Sequence, residues 1–121
     1  MGYILAVQTV VETPYYLTRA NKLLSEAEQQ VLVSTVAAAP DAGVFLGGGL
    51  RKLRFARGGK GKRGGVRVVY FYHDEDMPVF MLEIFDKNEK DNLSAVELKS
   101  LVKLAGALKE SYGAKHGKKS I

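Results

Sequence analysis

Residues 50–72 read LRKLRFARGGKGKRGGVRVVYFY, and this stretch sets the architecture. From Leu50 to Ala56 the side chains alternate, Leu53 and Phe55 to one side and Lys52 and Arg54 to the other, which predicts a half-buried strand. Val66 to Tyr72 is a nearly continuous run of β-formers, the pattern of a central strand. Residues 57–65 between them are all glycine, lysine or arginine, so they form the loop that joins the two strands.

Working toward the C-terminus, His73-Asp74-Glu75-Asp76 predicts a polar hairpin turn, and Pro78 suits the start of a strand over Val79 to Phe85. Residues 86–93 (DKNEKDNL) form a charged loop. Ser94, with Glu97 three residues on, is a capping box opening a final helix whose apolar face is Leu98, Leu101, Val102, Ala105 and Leu108. Toward the N-terminus, Tyr3 to Val11 predicts a first strand, and Thr13-Pro14 starts a short helix over Tyr15 to Leu24. A second capping box, Ser25 with Glu28, opens a helix with Val31, Leu32 and Val36 on its apolar face, ending before Pro40. Asp41-Ala42-Gly43 is a turn, and Gly47-Gly48-Gly49 a flexible joint. The order β-α-α-β-β-β-α predicts an α+β fold: an antiparallel-rich sheet of about four strands with the helices packed on one face. A single domain is expected over residues 1–111, with 112–121 fraying as a basic tail.

Composition narrows the chemistry. At 121 residues the chain can bury a core without staples, and 46% hydrophobic with 26% charged residues is ordinary for a globular protein. Having no cysteine, it makes no disulfide, thiolate metal site or thiol nucleophile. The opening MGYILAVQTVVETP lacks the basic n-region of a secretory leader, and the apolar runs fall far short of the ~20 residues of a bilayer span. The expectation is a soluble cytoplasmic protein with no membrane contact.

Charge is distributed unevenly. Residues 51–67 hold eight Lys/Arg, five Gly and no acidic side chain, whereas the rest of the chain has ten basic and thirteen acidic residues. The net charge of +5 therefore comes from this segment. Charge kept for solubility is normally mixed in sign, so this pattern favours a polyanionic partner over a merely solvated hairpin. Glycines let a backbone approach phosphate closely, arginines offer paired donors and lysines offer mobile charge. GKGKRGG is no Walker loop, because no GKS or GKT follows and the segment joins two strands. A polynucleotide is the natural ligand.

Arg67 stands inside an apolar strand, where a charge costs stability unless it is paired or faces a solvated cleft. Either a carboxylate such as Glu83 on the next strand satisfies it, or its guanidinium is aimed at a phosphate. His73 and His116 read as surface residues, Asp74, Glu75 and Asp76 as a solvated turn, and no metal set or cofactor site is expected. Lys87 and Asn88 belong either to an ordinary exposed loop or to the cleft of the basic segment.

Taken together, GGGLRKLRFARGGKGKRGGVRVVYFY (47–72) and EIFDKNEKDNLS (83–94), followed by a helix, resemble the RelE-type bacterial toxins, most closely the HigB-like branch. The resemblance covers roughly residues 40–108, and the N-terminal β-α-α order agrees with it. It implies a RelE-like fold and a small, metal-independent toxin neutralised by a cognate antitoxin of helix-turn-helix type. It also implies entry into the ribosomal A site, contact with ribosomal RNA, and mRNA cleavage by attack of the RNA's own 2′-OH. On this resemblance Arg67 matches the strand arginine that contacts the scissile phosphate. Arg54, Lys60, Lys62 and Arg63 fall where the family lines its RNA groove, with Lys52, Arg57 and Asn88 as further RNA contacts. Lys87 lies in the KN motif, and Lys62 or Lys87 is the candidate acid toward the departing 5′ oxygen; the general base stays unassigned. Many relatives carry tyrosine where this chain has Phe85, which keeps a ring for base stacking but loses a phenolic proton. Because the superfamily includes ParE-type gyrase poisons, a gyrase inhibitor and a non-catalytic nucleic-acid-binding module remain alternatives. The free toxin is expected to be monomeric.

Overall fold

The computed structural model describes residues 7–57 and 65–115, with side chains as far as 113. Among these, β1 (Val10–Glu12), α1 (Pro14–Leu23), α2 (Glu26–Ala38), β2 (Val44–Gly47), β3 (Leu50–Phe55), β4 (Val66–Phe71), β5 (Val79–Asp86) and α3 (Ala95–Lys115) follow in order. The sheet runs β1-β5-β4-β3-β2, with β1 parallel to β5 and every other pair antiparallel. Among the described residues the fold is α+β with five strands, where the element order predicted about four.

The extra strand is β2. Gly47, Gly48 and Gly49 have φ of 102°, 60° and 82°, and they turn the chain sharply into β3 where a flexible joint was expected. At Gly49 the need for glycine is steric as well as conformational, since a Cβ there would lie 2.4 Å from Phe71 Cε1. Both capping boxes form. Ser25 Oγ accepts from the Glu28 N–H at 3.1 Å while Glu28 accepts from the Ser25 N–H at 2.8 Å, and Ser94 with Glu97 repeats the pattern at 3.1 and 2.8 Å. Thr13 holds the N-cap position of α1, but its hydroxyl donates to the Met81 carbonyl at 2.7 Å and so ties the helix start to β5.

The helices do not share one face, as had been expected. Tyr16, Ala20 and Leu24 with Leu32 and Val36 pack on Val66, Val68, Tyr70, Val79, Met81 and Ile84. On the other side α3, through Ala105 and the partly buried Leu98, Leu101, Leu108 and Tyr112, packs on Leu50, Val69, Phe71, Leu82 and Phe85. Helices on both sides leave β4 buried at all six positions, which is why its sequence runs apolar without alternation. Helix α3 continues to Lys115, past the expected start of the tail at 112; residues 116–121 and residues 3–6 of the expected first strand lie outside the described residues, and the described part of that strand begins only at Val10. Val31, placed by periodicity on a buried face, is exposed. No described helix is long and apolar enough to cross a membrane.

Candidate nucleic-acid interface

Residues directly opposed in an antiparallel pair share a face. Leu50–Phe71, Lys52–Val69 and Arg54–Arg67 are opposed between β3 and β4, and Arg67 is also opposite Phe85 of β5. The hydrophobic members of this set belong to the core under α3. At the far end of the same face stand Arg54 and Arg67, two cations side by side, with Lys52 one strand step away. Like charges in direct opposition repel, so this corner requires an anion.

The anion is Asp91, from the loop between β5 and α3. Arg67 Nε donates to Asp91 Oδ1 at 2.8 Å, joining a guanidinium that is 2% exposed to a carboxylate that is 49% exposed. Arg67 Nη1 is buried with no hydrogen-bond partner. Lys52 Nζ donates to the Asp91 carbonyl at 3.1 Å and to Asn92 Oδ1. The hydrogen bond from Arg67 holds the Asp91 carboxyl below the usual aspartate value, and the charges of Arg67, Lys52 and Arg54 add to the effect.

Glu83, the carboxylate expected to neutralise Arg67, is engaged elsewhere. It approaches Arg19 Nε of α1 at 3.5 Å, and burial is the main reason its pKa is raised. The register is irregular beside it: β5 has one residue, Leu82, without an opposite number between Val69–Glu83 and Tyr70–Met81.

Two other expectations require correction. Phe85 is fully buried in the α3 core, and Lys90 Nζ lies 4.9 Å from its ring centroid, so the ring has no free face for a base. Arg57 is not free to line a groove. Its Nη2 donates to Asp86 Oδ2 at 2.5 Å and its Nη1 to the Leu23 carbonyl at 2.9 Å, clamping the entry of the basic loop to α1 and β5. Arg54, Lys87 and Asn88 are exposed, and the Lys87 N–H donates to the Gly65 carbonyl at 3.3 Å, bringing the KN loop beside the start of β4. Lys60, Lys62 and Arg63 lie outside the described residues. Among the described residues no three His, Cys, Asp or Glu side chains could together hold a metal ion.

Asp91 is the site residue that sequence reasoning missed. A signal for it existed: an arginine inside an apolar strand requires a carboxylate, and the next loop supplies Asp86, Glu89 and Asp91. Periodicity could not choose among the four acids, because the choice depends on which face of the sheet the loop crosses.

The architecture is similar to a solved structure of E. coli toxin RelE, an arginine-to-alanine double mutant in the free state. The identity is 19%, the match covers 70% of this chain and 88% of that one, and the TM-score is 0.51, a likeness of fold. The family model described as the RelE toxin of the RelE / RelB toxin-antitoxin system matches residues 16–116, which takes in β3, β4, the basic loop and the loop that carries Asp91. With most of its length inside that match, the chain belongs to the RelE toxin family.

Proposed function

We propose that this toxin is a ribosome-dependent endoribonuclease of the HigB-like branch that cuts mRNA in the A site. The observation that carries the proposal is Arg67, a buried guanidinium on the central strand with an unpartnered Nη1. A well-packed apolar side chain would fit that position at lower cost, so an incompletely satisfied cation there is best explained by a ligand.

The reaction needs little beyond positioned cations. The 2′-oxygen of the substrate attacks the adjacent phosphorus as its proton passes to solvent water, the P–O5′ bond breaks, and a 2′,3′-cyclic phosphate and a 5′-hydroxyl result. Arg67 stabilises the charge that develops on the phosphorane oxygens, and Lys62 or Lys87 delivers a proton to the departing 5′ oxygen. Arg54, Lys52, Lys60 and Arg63 hold flanking phosphates or ribosomal RNA, and Asn88 stands with Lys87 at the edge of the groove. The reaction draws on the chain's own cations and on no metal. Family membership implies a cognate antitoxin; we take it to be of helix-turn-helix type, with the free toxin a monomer acting in the bacterial cytoplasm.

Brief induction in a bacterial cell, with transcript 5′ ends mapped for wild type, Arg67→Ala and Arg67→Lys, tests this. Wild type is expected to generate new ends within translated frames and both variants to lose them, because lysine restores the charge but not the paired donors. No new ends from wild type would overturn the nuclease assignment, and DNA breaks with intact messages would redirect it to gyrase.

A further inference from the structure

A phosphate clamp must be reachable, yet Arg67 is 2% exposed. Its Nε is already committed to a carboxylate oxygen at 2.8 Å, and its Nη1 is buried with no partner. Around that carboxylate stand the three cations of the corner: Arg67 from β4, and Lys52 and Arg54 from β3. The position they favour suits a phosphate oxygen, and the protein's own Asp91 fills it. The surrounding loop is tethered by polar contacts at the surface: Lys52 to the Asp91 carbonyl and Asn92, Lys90 to Glu97 at 2.5 Å, and Arg19 to Glu89 at 2.8 Å. Exposed ion pairs of this kind exchange readily with solvent and with competing anions.

We propose that Asp91 is a built-in substitute for the substrate phosphate: its carboxylate latches Arg67 in the free protein, and a phosphodiester of single-stranded RNA displaces it as the loop around Asp91 and Asn92 lifts. The identity of the ligand rests on the nuclease assignment above. Release of the latch frees Nε and gives the orphaned Nη1 a partner at the same time, so the guanidinium turns both donors to RNA. Asp91 and RNA compete for one guanidinium, and removal of the internal competitor tightens RNA binding. A general base or a purely orienting aspartate predicts otherwise, with cleavage lost or binding weakened.

The test is fluorescence anisotropy with a labelled single-stranded RNA, 2′-O-methylated at every sugar so that it cannot be cut. Wild type, Asp91→Ala, the near-isosteric Asp91→Asn, and each of these in an Arg67→Ala background are compared. Glu110→Gln on the exposed side of α3 supplies the same change of net charge at a distance. Asp91→Ala and Asp91→Asn are expected to bind about five- to tenfold more tightly than wild type, Glu110→Gln less than about twofold, and the gain should vanish in the Arg67→Ala background. Unchanged or weaker binding by both Asp91 variants, a gain that survives Arg67→Ala, or a gain matched by Glu110→Gln overturns the latch. Cleavage of a translated message is followed in parallel. Tighter binding with no wild-type cleavage keeps the latch and removes the nuclease, whereas cleavage without tighter binding does the reverse.

Discussion

Replacing Arg67 with methionine separates what this residue does for the fold from what it does for RNA. Methionine fills much of the arginine stem's volume, and the position is 2% exposed. Loss of the guanidinium removes its bond to Asp91, but that carboxylate is half exposed and the pair is well screened, so this is the smaller effect. Against it stands relief of a buried cation whose Nη1 has no partner, worth about 1–3 kcal/mol. The methionine variant should therefore be at least as stable as wild type and up to ~2 kcal/mol more stable. Arg67→Ala obtains the same relief but leaves a cavity beside Phe85 and Val69, and should fall ~2–3 kcal/mol below the methionine variant. Urea unfolding followed by far-UV circular dichroism resolves such differences, since 1 kcal/mol moves the midpoint by roughly 0.5–1 M for a domain of this size. Cleavage should drop ~100–1000-fold in both variants, the usual cost of losing a donor aimed at a developing oxyanion. A methionine variant destabilised by more than ~2 kcal/mol would refute the reasoning, because it would mean the guanidinium is kept for stability.

Three further outcomes follow from the geometry. Gly49→Ala combines a left-handed φ of 82° with a contact of 2.4 Å on Phe71, while Gly47→Ala has only an unfavourable φ of 102° and open space, so Gly49→Ala should cost ~1–3 kcal/mol more in urea unfolding; equal losses would mean Phe71 moves aside freely. Phe85→Leu should retain cleavage while lowering the thermal midpoint, because the ring is core packing; a fully folded variant that no longer cuts would restore a role in base stacking. Asp91, held down first by the Arg67 hydrogen bond, and Glu97, held down first by Lys90, both have pKa values lowered in the fold. A lowered folded value contributes stability that is complete above the unfolded pKa and lost as pH falls through the folded one, so the urea midpoint should decline below about pH 4, less steeply for Asp91→Asn. Glu83, raised mainly by burial, works the other way as pH climbs past its ordinary 4.5, and identical acid limbs for wild type and Asp91→Asn would contradict the assignment of the pair.

Much of this molecule is legible along the chain. The two capping boxes, the alternation of β3, the uninterrupted apolar run of β4 and the acid-free basic loop are patterns within a few residues, and each has a local physical meaning. Arg67 could be singled out for the same reason, as a charge within an apolar run. The errors at the site concern long-range neighbours. Phe85 and Glu83 lie two residues apart on β5, yet one is buried under α3 and the other meets Arg19 of α1.

Sequence by itself determined most of the elements, their order, the α+β class and the site of the positive charge, because these depend on propensity, periodicity and composition, which are properties of short windows. Tertiary structure alone decided that helices cover both faces of the sheet, that β2 adds an edge strand, and that Arg67 pairs with Asp91 of the next loop and not with Glu83. Periodicity says which residues of an element share a side; it carries no information about which distant segment covers that side. Only the assembled sheet brings Asp91 to Arg67 across 24 residues, and that meeting turns a basic segment into a guanidinium held closed by its own carboxylate.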